Sequence, residues 1–182
     1  DVDNSIFVLD AGLKYADDRM LGIDYVIPNF DYLKENKDRI KGLFITHGHY
    51  TQMGAISDIL TELPEINVYA TEFTMELIKE ELESDNVKNA KLNVIKPHHK
   101  ISFGEVSIFP ISLTHSVPGN VGYVINTKDG AIVYTGNFLF DQTMPDVYKT
   151  DIGKLAYVGK QGVLCLLSES EYADRPGYTT PN

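Results

Sequence analysis

Short apolar runs rich in Ile, Val, Leu and Phe recur along the chain and predict strands over 6–9, 43–46, 68–70, 92–95, 101–103, 106–111, 121–125, 132–135 and 163–167. Between them the apolar positions take a helical spacing over 31–39, 53–63, 71–82 and 152–159, with Phe73, Leu77 and Ile78 on one side of the third segment. Two links are tight. Phe103-Gly104-Glu105 joins one pair of strands, and Lys128-Asp129-Gly130 separates Tyr123-Val-Ile125 from Ile132-Val-Tyr134, a strong hairpin signal. Some pairing is therefore antiparallel. Hairpins mixed with crossover helices predict a layered α/β sandwich, sheets inside and helices outside, rather than a purely parallel doubly wound sheet.

Composition agrees with one globular α/β domain over 1–182, since 43% of the residues are hydrophobic and 23% charged. The chain opens inside a strand without an initiator methionine and stops soon after another, so it reads as a piece excised from something longer. The longest apolar runs are about six residues against the ~20 needed to span a bilayer, and no signal-peptide pattern is present, which predicts no membrane partner and a cytoplasmic location. Cys165 sits in Val163-Leu-Cys-Leu-Leu167 and is expected to be a small buried hydrophobe, with no disulfide possible. Net charge is −10, from 26 acidic and 16 basic residues, which opposes the counterion release that drives nucleic-acid binding. The one basic cluster, Lys34, Lys37, Arg39 and Lys41, alternates with acids and reads as a solvated helix face.

Candidate chemistry concentrates in Leu43-Phe-Ile-Thr-His-Gly-His-Tyr-Thr-Gln-Met-Gly54, where an apolar strand runs into two histidines. Residues two apart in extended backbone project to one side, and Gly48 leaves room between them, so His47 and His49 can face one point. His-Gly-His alone fits a surface loop equally well. Other strand ends carry polar groups as well: Asp10 in Leu9-Asp10-Ala11-Gly12, His115 in Thr114-His115-Ser116, and Asn137 in Thr135-Gly136-Asn137-Phe138. Four such ends can converge on one edge of an α/β scaffold. His98 and His99 read as a solvated turn, Tyr15, Tyr25 and Tyr32 as partly buried packing residues, and Asp17 and Asp18 as loop punctuation. Ser168 and Ser170 either line a phosphate path or cap a turn.

In order along the chain, Leu-Asp-Ala-Gly, Thr-His-Gly-His, Thr-His-Ser, Thr-Gly-Asn-Phe and Leu-Leu-Ser-Glu-Ser resemble the metallo-β-lactamase superfamily. Leu21-Gly-Ile-Asp-Tyr-Val-Ile-Pro28, Glu35-Asn-Lys-Asp-Arg39 and Arg175-Pro-Gly-Tyr178 narrow the resemblance to the ribonuclease J family, over nearly the whole chain. It implies a metallo-β-lactamase-type αββα sandwich, present here as its first segment, with a β-CASP domain and later parts outside this chain. It also implies bacterial RNA processing and decay, by 5′–3′ exonuclease and endonuclease activity, with RNA as substrate.

In that family a His-x-His-x-Asp-His loop, a later His, a bridging Asp and a distal His hold two divalent metals, zinc or manganese. The resemblance places His47, His49 and His115 on the histidines of the first metal position and Asp10 behind them as a positioning group. Thr51 and Gln52 replace the Asp-His pair of the second position, and Asn137 replaces the bridging Asp. Tyr50 falls where the family carries a small or acidic residue and is expected to fill the metal's space, and Glu169 departs from the family's Ser-Asp-Ser. Two divalent cations ~3.5–4 Å apart repel by roughly 15–20 kcal/mol at an effective dielectric of ~20, and anionic ligands normally offset that repulsion. With the carboxylates gone, no two-metal site is expected, and no metal is expected bound to this piece. The resemblance implies a degenerate paralogue acting as partner subunit of an active one, in a homo- or hetero-oligomer. The alternative is a single-zinc phosphodiester hydrolase on the three histidines.

Overall fold

The computed structural model describes residues 1–141, 143–171 and 173–177, so Tyr178 lies outside the described residues. The chain divides into an amino-terminal unit, Asp1–Ile95, and a carboxy-terminal unit, Lys96–Asn182.

In the amino-terminal unit the elements are β1 (Ile6–Leu9), β2 (Lys14–Tyr15), β3 (Tyr25–Val26), α1 (Asp31–Glu35), β4 (Ile40–Phe44), α2 (Tyr50–Met53), α3 (Ile56–Glu62), β5 (Asn67–Thr71), α4 (Glu72–Ser84) and β6 (Lys91–Ile95). The main sheet runs β1-β4-β5-β6 and every pair in it is parallel. Parallel neighbours need crossovers, which the helical segments supply. Leu43, Ile45, Val68 and Ala70 bury one face of this sheet against Ile56, Ile59 and Leu60 of α3 and Met75, Ile78 and Leu82 of α4. Burying each of the large aliphatic side chains is worth about 1.5–3 kcal/mol relative to leaving it in water. On Phe44 a second contact forms, with the Tyr69 ring stacked 4.7 Å away.

The helix expected over 53–63 is α3, which begins three residues later, and a separate turn of helix, α2, precedes it. The segment leaving β1 crosses them and donates into their backbone: Ala11 N–H reaches the Gln52 carbonyl at 2.7 Å, Leu13 N–H reaches Tyr50 at 2.9 Å, and Ala55 N–H reaches back to Ala11 at 2.8 Å. Those bonds divert the helical ladder at Gly54-Ala55. Gly12 is required for the crossing, because a Cβ there would stand 1.8 Å from the Thr51 carbonyl oxygen.

In the carboxy-terminal unit β7 (Ile101–Phe103), β8 (Val106–Ser112), β9 (Val121–Thr127), β10 (Gly130–Tyr134), α5 (Ile152–Gln161) and β11 (Val163–Leu167) form a sheet in the order β11-β10-β9-β8-β7. Pairing is antiparallel from β7 to β10 and parallel between β10 and β11, with α5 as the crossover. The β9–β10 turn has the Lys128-Asp129 pair at its tip, flanked by Thr127 opposite Gly130. Ile111, Val124, Ala131 and Val133 pack with Val158 of α5.

Two burial expectations are corrected. Cys165 is exposed rather than buried, because neither face of β11 is covered and its residues are exposed all along it. Tyr15, Tyr25 and Tyr32 are 61%, 49% and 54% exposed. The first two lie on a β2–β3 ribbon that pairs only with itself, and the Tyr32 hydroxyl donates to Asp1 at 3.0 Å. Lys34 and Arg39 pair with Asp31, Glu62 and Asp1, as a solvated face does. Among the described residues no helix is long and apolar enough to cross a membrane.

Candidate metal centre

At the end of β4 the chain leaves the sheet with Thr46 and His47 fully buried. Asp10 sits at the end of the neighbouring strand β1 with a left-handed backbone, φ 58°, a conformation that Asp tolerates better than most residues. Its carboxylate grips Thr46 twice: Oδ1 accepts from the Thr46 N–H at 2.7 Å and Oδ2 from the Thr46 hydroxyl at 3.0 Å. That hydroxyl has one proton. Having given it to Asp10, it accepts at its other contact, 3.0 Å from Nδ1 of His47, so His47 carries its proton on Nδ1 and presents a lone pair at Nε2.

Nε2 of His47 lies 3.1 Å from Nδ1 of His49. Two nitrogens on a tetrahedral zinc with bonds of about 2.0–2.1 Å are themselves about 3.3 Å apart, so this pair has a separation that a metal can occupy with little movement. His49 also stands immediately before α2, in extended backbone with ψ 149°. Gly48 earns its place differently from expectation: a Cβ there would meet Leu77 of α4 at 2.3 Å, so glycine lets the loop lie against that helix.

Thr51 and Gln52 follow on α2. Gln52 is buried, and the Thr51 hydroxyl donates to the Gln52 amide oxygen. Neutral side chains satisfying one another offer no negative charge to a second cation. Tyr50 does not fill the space beside the histidines as expected. The residue is 47% exposed and its hydroxyl donates to Glu81 of α4 at 3.2 Å, and the Glu81 charge raises its pKa above the usual phenol value.

The carboxy-terminal unit carries the remaining candidates. His115 is half-buried and follows Thr114, which is locked to Thr150 by a reciprocal pair: Thr114 N–H donates to the Thr150 hydroxyl and Thr150 N–H to the Thr114 hydroxyl, both at 2.9 Å. Asn137 is half-buried too, and its carbonyl accepts from the Asn120 amide at 3.0 Å. Asn120 ties this turn to Leu113, at the foot of the His115 loop, at 3.2 Å. Ser168 is exposed and donates to the Glu169 carbonyl at 3.3 Å, while the Ser170 carbonyl accepts from Ala173 at 3.1 Å. Those contacts are local turn bonds.

The pattern of the beta-lactamase superfamily domain matches residues 7–152. The chain belongs to that superfamily. Ribonuclease J 2 of Staphylococcus aureus (strain NCTC 8325 / PS 47) is 44% identical over all 182 residues, and that of Staphylococcus epidermidis 42%. The chain spans 32% of the length of each of these relatives. Solved structures show the same fold. A protein of unknown function from Enterococcus faecalis V583 aligns over 100% of this chain and 48% of its own, with a TM-score of 0.67 at 16% identity. Zn(2+)-bound PqqB from Methylobacterium extorquens aligns over 75% and 50%, with a TM-score of 0.58 at 14% identity. The fold is thus a metallo-β-lactamase α/β fold, as the sequence predicts.

For this superfamily member the sequence reading missed three supporting residues. Thr46 opens the Thr-His-Gly-His motif, yet its hydroxyl relay forms only because β1 and β4 are neighbours. Thr150 and Asn120 lie 36 and 7 residues from the partners they clamp. His98 is no freely solvated turn residue: its ring stacks on Phe109 at 6.0 Å and its Nε2 lies 3.4 Å from Asp151, the N-cap of α5.

Proposed function

We propose that this chain is the metallo-β-lactamase part of a ribonuclease J-type protein, active in bacterial RNA processing and decay in the cytoplasm, in which the second metal position has been lost. The 44% identity to ribonuclease J 2 of Staphylococcus aureus supports the RNA-processing context. One observation carries the loss: where the family has an Asp-His ligand pair, Thr51 and Gln52 are neutral and bonded to each other. With Asn137 at the bridging position as well, nothing there offsets the roughly 15–20 kcal/mol of repulsion between two divalent cations. Such a protein serves mainly as the partner subunit of an active paralogue, with β-CASP and later domains in the rest of the full-length polypeptide. Ser168 and Ser170 are assigned to the turn after β11 rather than to an RNA path, on their local bonds.

A second reading has its own support, the intact relay from Asp10 through Thr46 to His47 and the 3.1 Å approach of His49. In it His47 and His49, with His115 as third ligand, hold one zinc, which supplies Lewis-acid activation of water for phosphodiester hydrolysis. The chain's own part is to keep His47 Nε2 unprotonated and the ligand loops rigid.

Metal content by mass spectrometry after exposure to excess zinc and manganese separates these readings, with His115→Ala as control. At most one metal per chain and no metal-dependent RNA cleavage supports the partner subunit. One zinc, lost in the control and required for cleavage, moves the assignment to the single-metal hydrolase, and two metals per chain overturn the charge argument.

A further inference from the structure

Strand β7 lines one edge of β8 only as far as Ile108, which stands opposite Ile101. Alternate residues of a strand turn their backbone groups to the same edge, and past Ile108 other parts of the chain take that edge over. The His98 N–H donates to the Pro110 carbonyl at 2.8 Å, the Asp151 N–H donates to the Ser112 carbonyl at 3.1 Å, and Thr150 exchanges hydrogen bonds with Thr114. These rungs lead up to His115, the next residue along.

The rungs come from two segments far apart in sequence, the turn before β7 and the approach to α5, and a side-chain contact joins them. Nε2 of His98 lies 3.4 Å from Oδ2 of Asp151, enclosed from solvent and without a hydrogen-bond partner. A lone pair on that nitrogen would face a carboxylate oxygen with no water between them, so the ring carries a proton on Nε2. At this separation and alignment the N–H attracts Oδ2 electrostatically rather than through a full hydrogen bond. Oδ1 of Asp151 caps α5 by accepting the Lys154 N–H at 2.9 Å. Together the two contacts hold the carboxylate in one orientation. The His98 ring is itself held, stacked on Phe109 from a left-handed backbone with φ 66°.

We propose that His98 is a positioning residue for His115: through Asp151 it ties the turn before β7 to the approach to α5, and so fixes the point at which His115 leaves β8. The effect on metal affinity rests on the single-zinc reading, whereas the placement of His115 does not.

Hydrogen exchange of the metal-free full-length protein, resolved to single amides, tests the placement, and zinc affinity by chelator competition tests its reach to the ligand. His98→Phe keeps a ring against Phe109 and removes the N–H, while His98→Gln removes the ring and keeps an N–H donor at similar reach. Both share the cost of the left-handed backbone, so the difference between them isolates the donor. In His98→Phe the Thr114 and Thr150 amides are expected to exchange about tenfold faster, with the Val124 amide of β9 unchanged, and His98→Gln is expected to restore most of the protection. Asp151→Asn keeps a residue that caps α5 well, and it should reproduce the His98→Phe effect, with no further loss when the two are combined. Zinc bound by the wild type should be held about tenfold more weakly by His98→Phe. A wild type that takes up no zinc ends the single-zinc reading and leaves the exchange result to decide the placement. Wild-type protection of Thr114 and Thr150 in His98→Phe, a rise shared by Val124, a larger effect in His98→Gln, or zinc held as tightly in His98→Phe as in the wild type overturns the proposal.

Discussion

The Thr46 hydroxyl stands 3.0 Å from Nδ1 of His47 while its proton is committed to Asp10, so a threonine sets the tautomer of a buried histidine. Such positioning groups set ligand orientation and basicity, and their loss commonly weakens metal binding about 10–100-fold. Thr46→Val keeps the shape and removes the relay. It is expected to weaken zinc binding by that factor, and to cost about 1–3 kcal/mol in metal-free protein by leaving buried polar groups unpaired. Nitrogen-15 shifts of the metal-free wild type should show His47 protonated on Nδ1. Protonation on Nε2 in the wild type would remove the relay from the account.

Thr114 and Thr150 form the corresponding support in the carboxy-terminal unit. Both are buried, and their N–H groups and hydroxyls exchange hydrogen bonds across 36 residues of chain. Replacing either by valine conserves volume and leaves a buried backbone N–H unsatisfied, so each variant is expected to lose about 1–3 kcal/mol in denaturant unfolding. Because the partners are shared, the double variant should lose clearly less than the two single losses added. Simple additivity would show that the pair does not act as a unit.

Local signals carried the strands and the hairpin well: each of the nine predicted runs is a strand, and the Lys128-Asp129 turn lies where the Gly130 signal put it. Two-residue strands such as Lys14–Tyr15 were invisible, since so short a run has no periodicity to read. Cys165 was misplaced because an apolar run identifies a strand but not whether its faces are covered. The helix expected over 53–63 starts late for a tertiary reason, the hydrogen bonds exchanged with Ala11 and Leu13, that no spacing rule contains. His47 and His49 were legible as a strand-end motif, whereas Thr46, Thr150 and Asn120 act through partners that only folding brings near.

The Asp58 carboxyl gives a pH prediction. Its pKa is raised by burial and by Asp85, so the folded state binds its proton more readily than the unfolded state. Stability from this group is therefore lost as pH rises from the unfolded value, near 3.9, through the higher folded one. Asp58→Asn is expected to raise the denaturant midpoint near neutrality, and the gain should vanish below about pH 3, where both states of the wild type are protonated. A gain that persists unchanged in acid would point to a cause other than charge.

Restoring the family's ligands tests the charge argument from the opposite direction. Thr51→Asp and Gln52→His replace a self-satisfied neutral pair by a carboxylate and an imidazole, and Asn137→Asp returns the bridging charge. Two negative charges then face the four positive charges of two cations, at a separation where each such pairing is worth about 4 kcal/mol at an effective dielectric of ~20. Metal content should rise from at most one ion per chain to two in the triple variant, while Gln52→His alone should add none, because an imidazole brings a ligand but no charge. If that single variant already takes up a second metal, ligand count rather than charge governs the site. If the triple variant takes up none, the ligand loops are held too far from the geometry that the second ion needs.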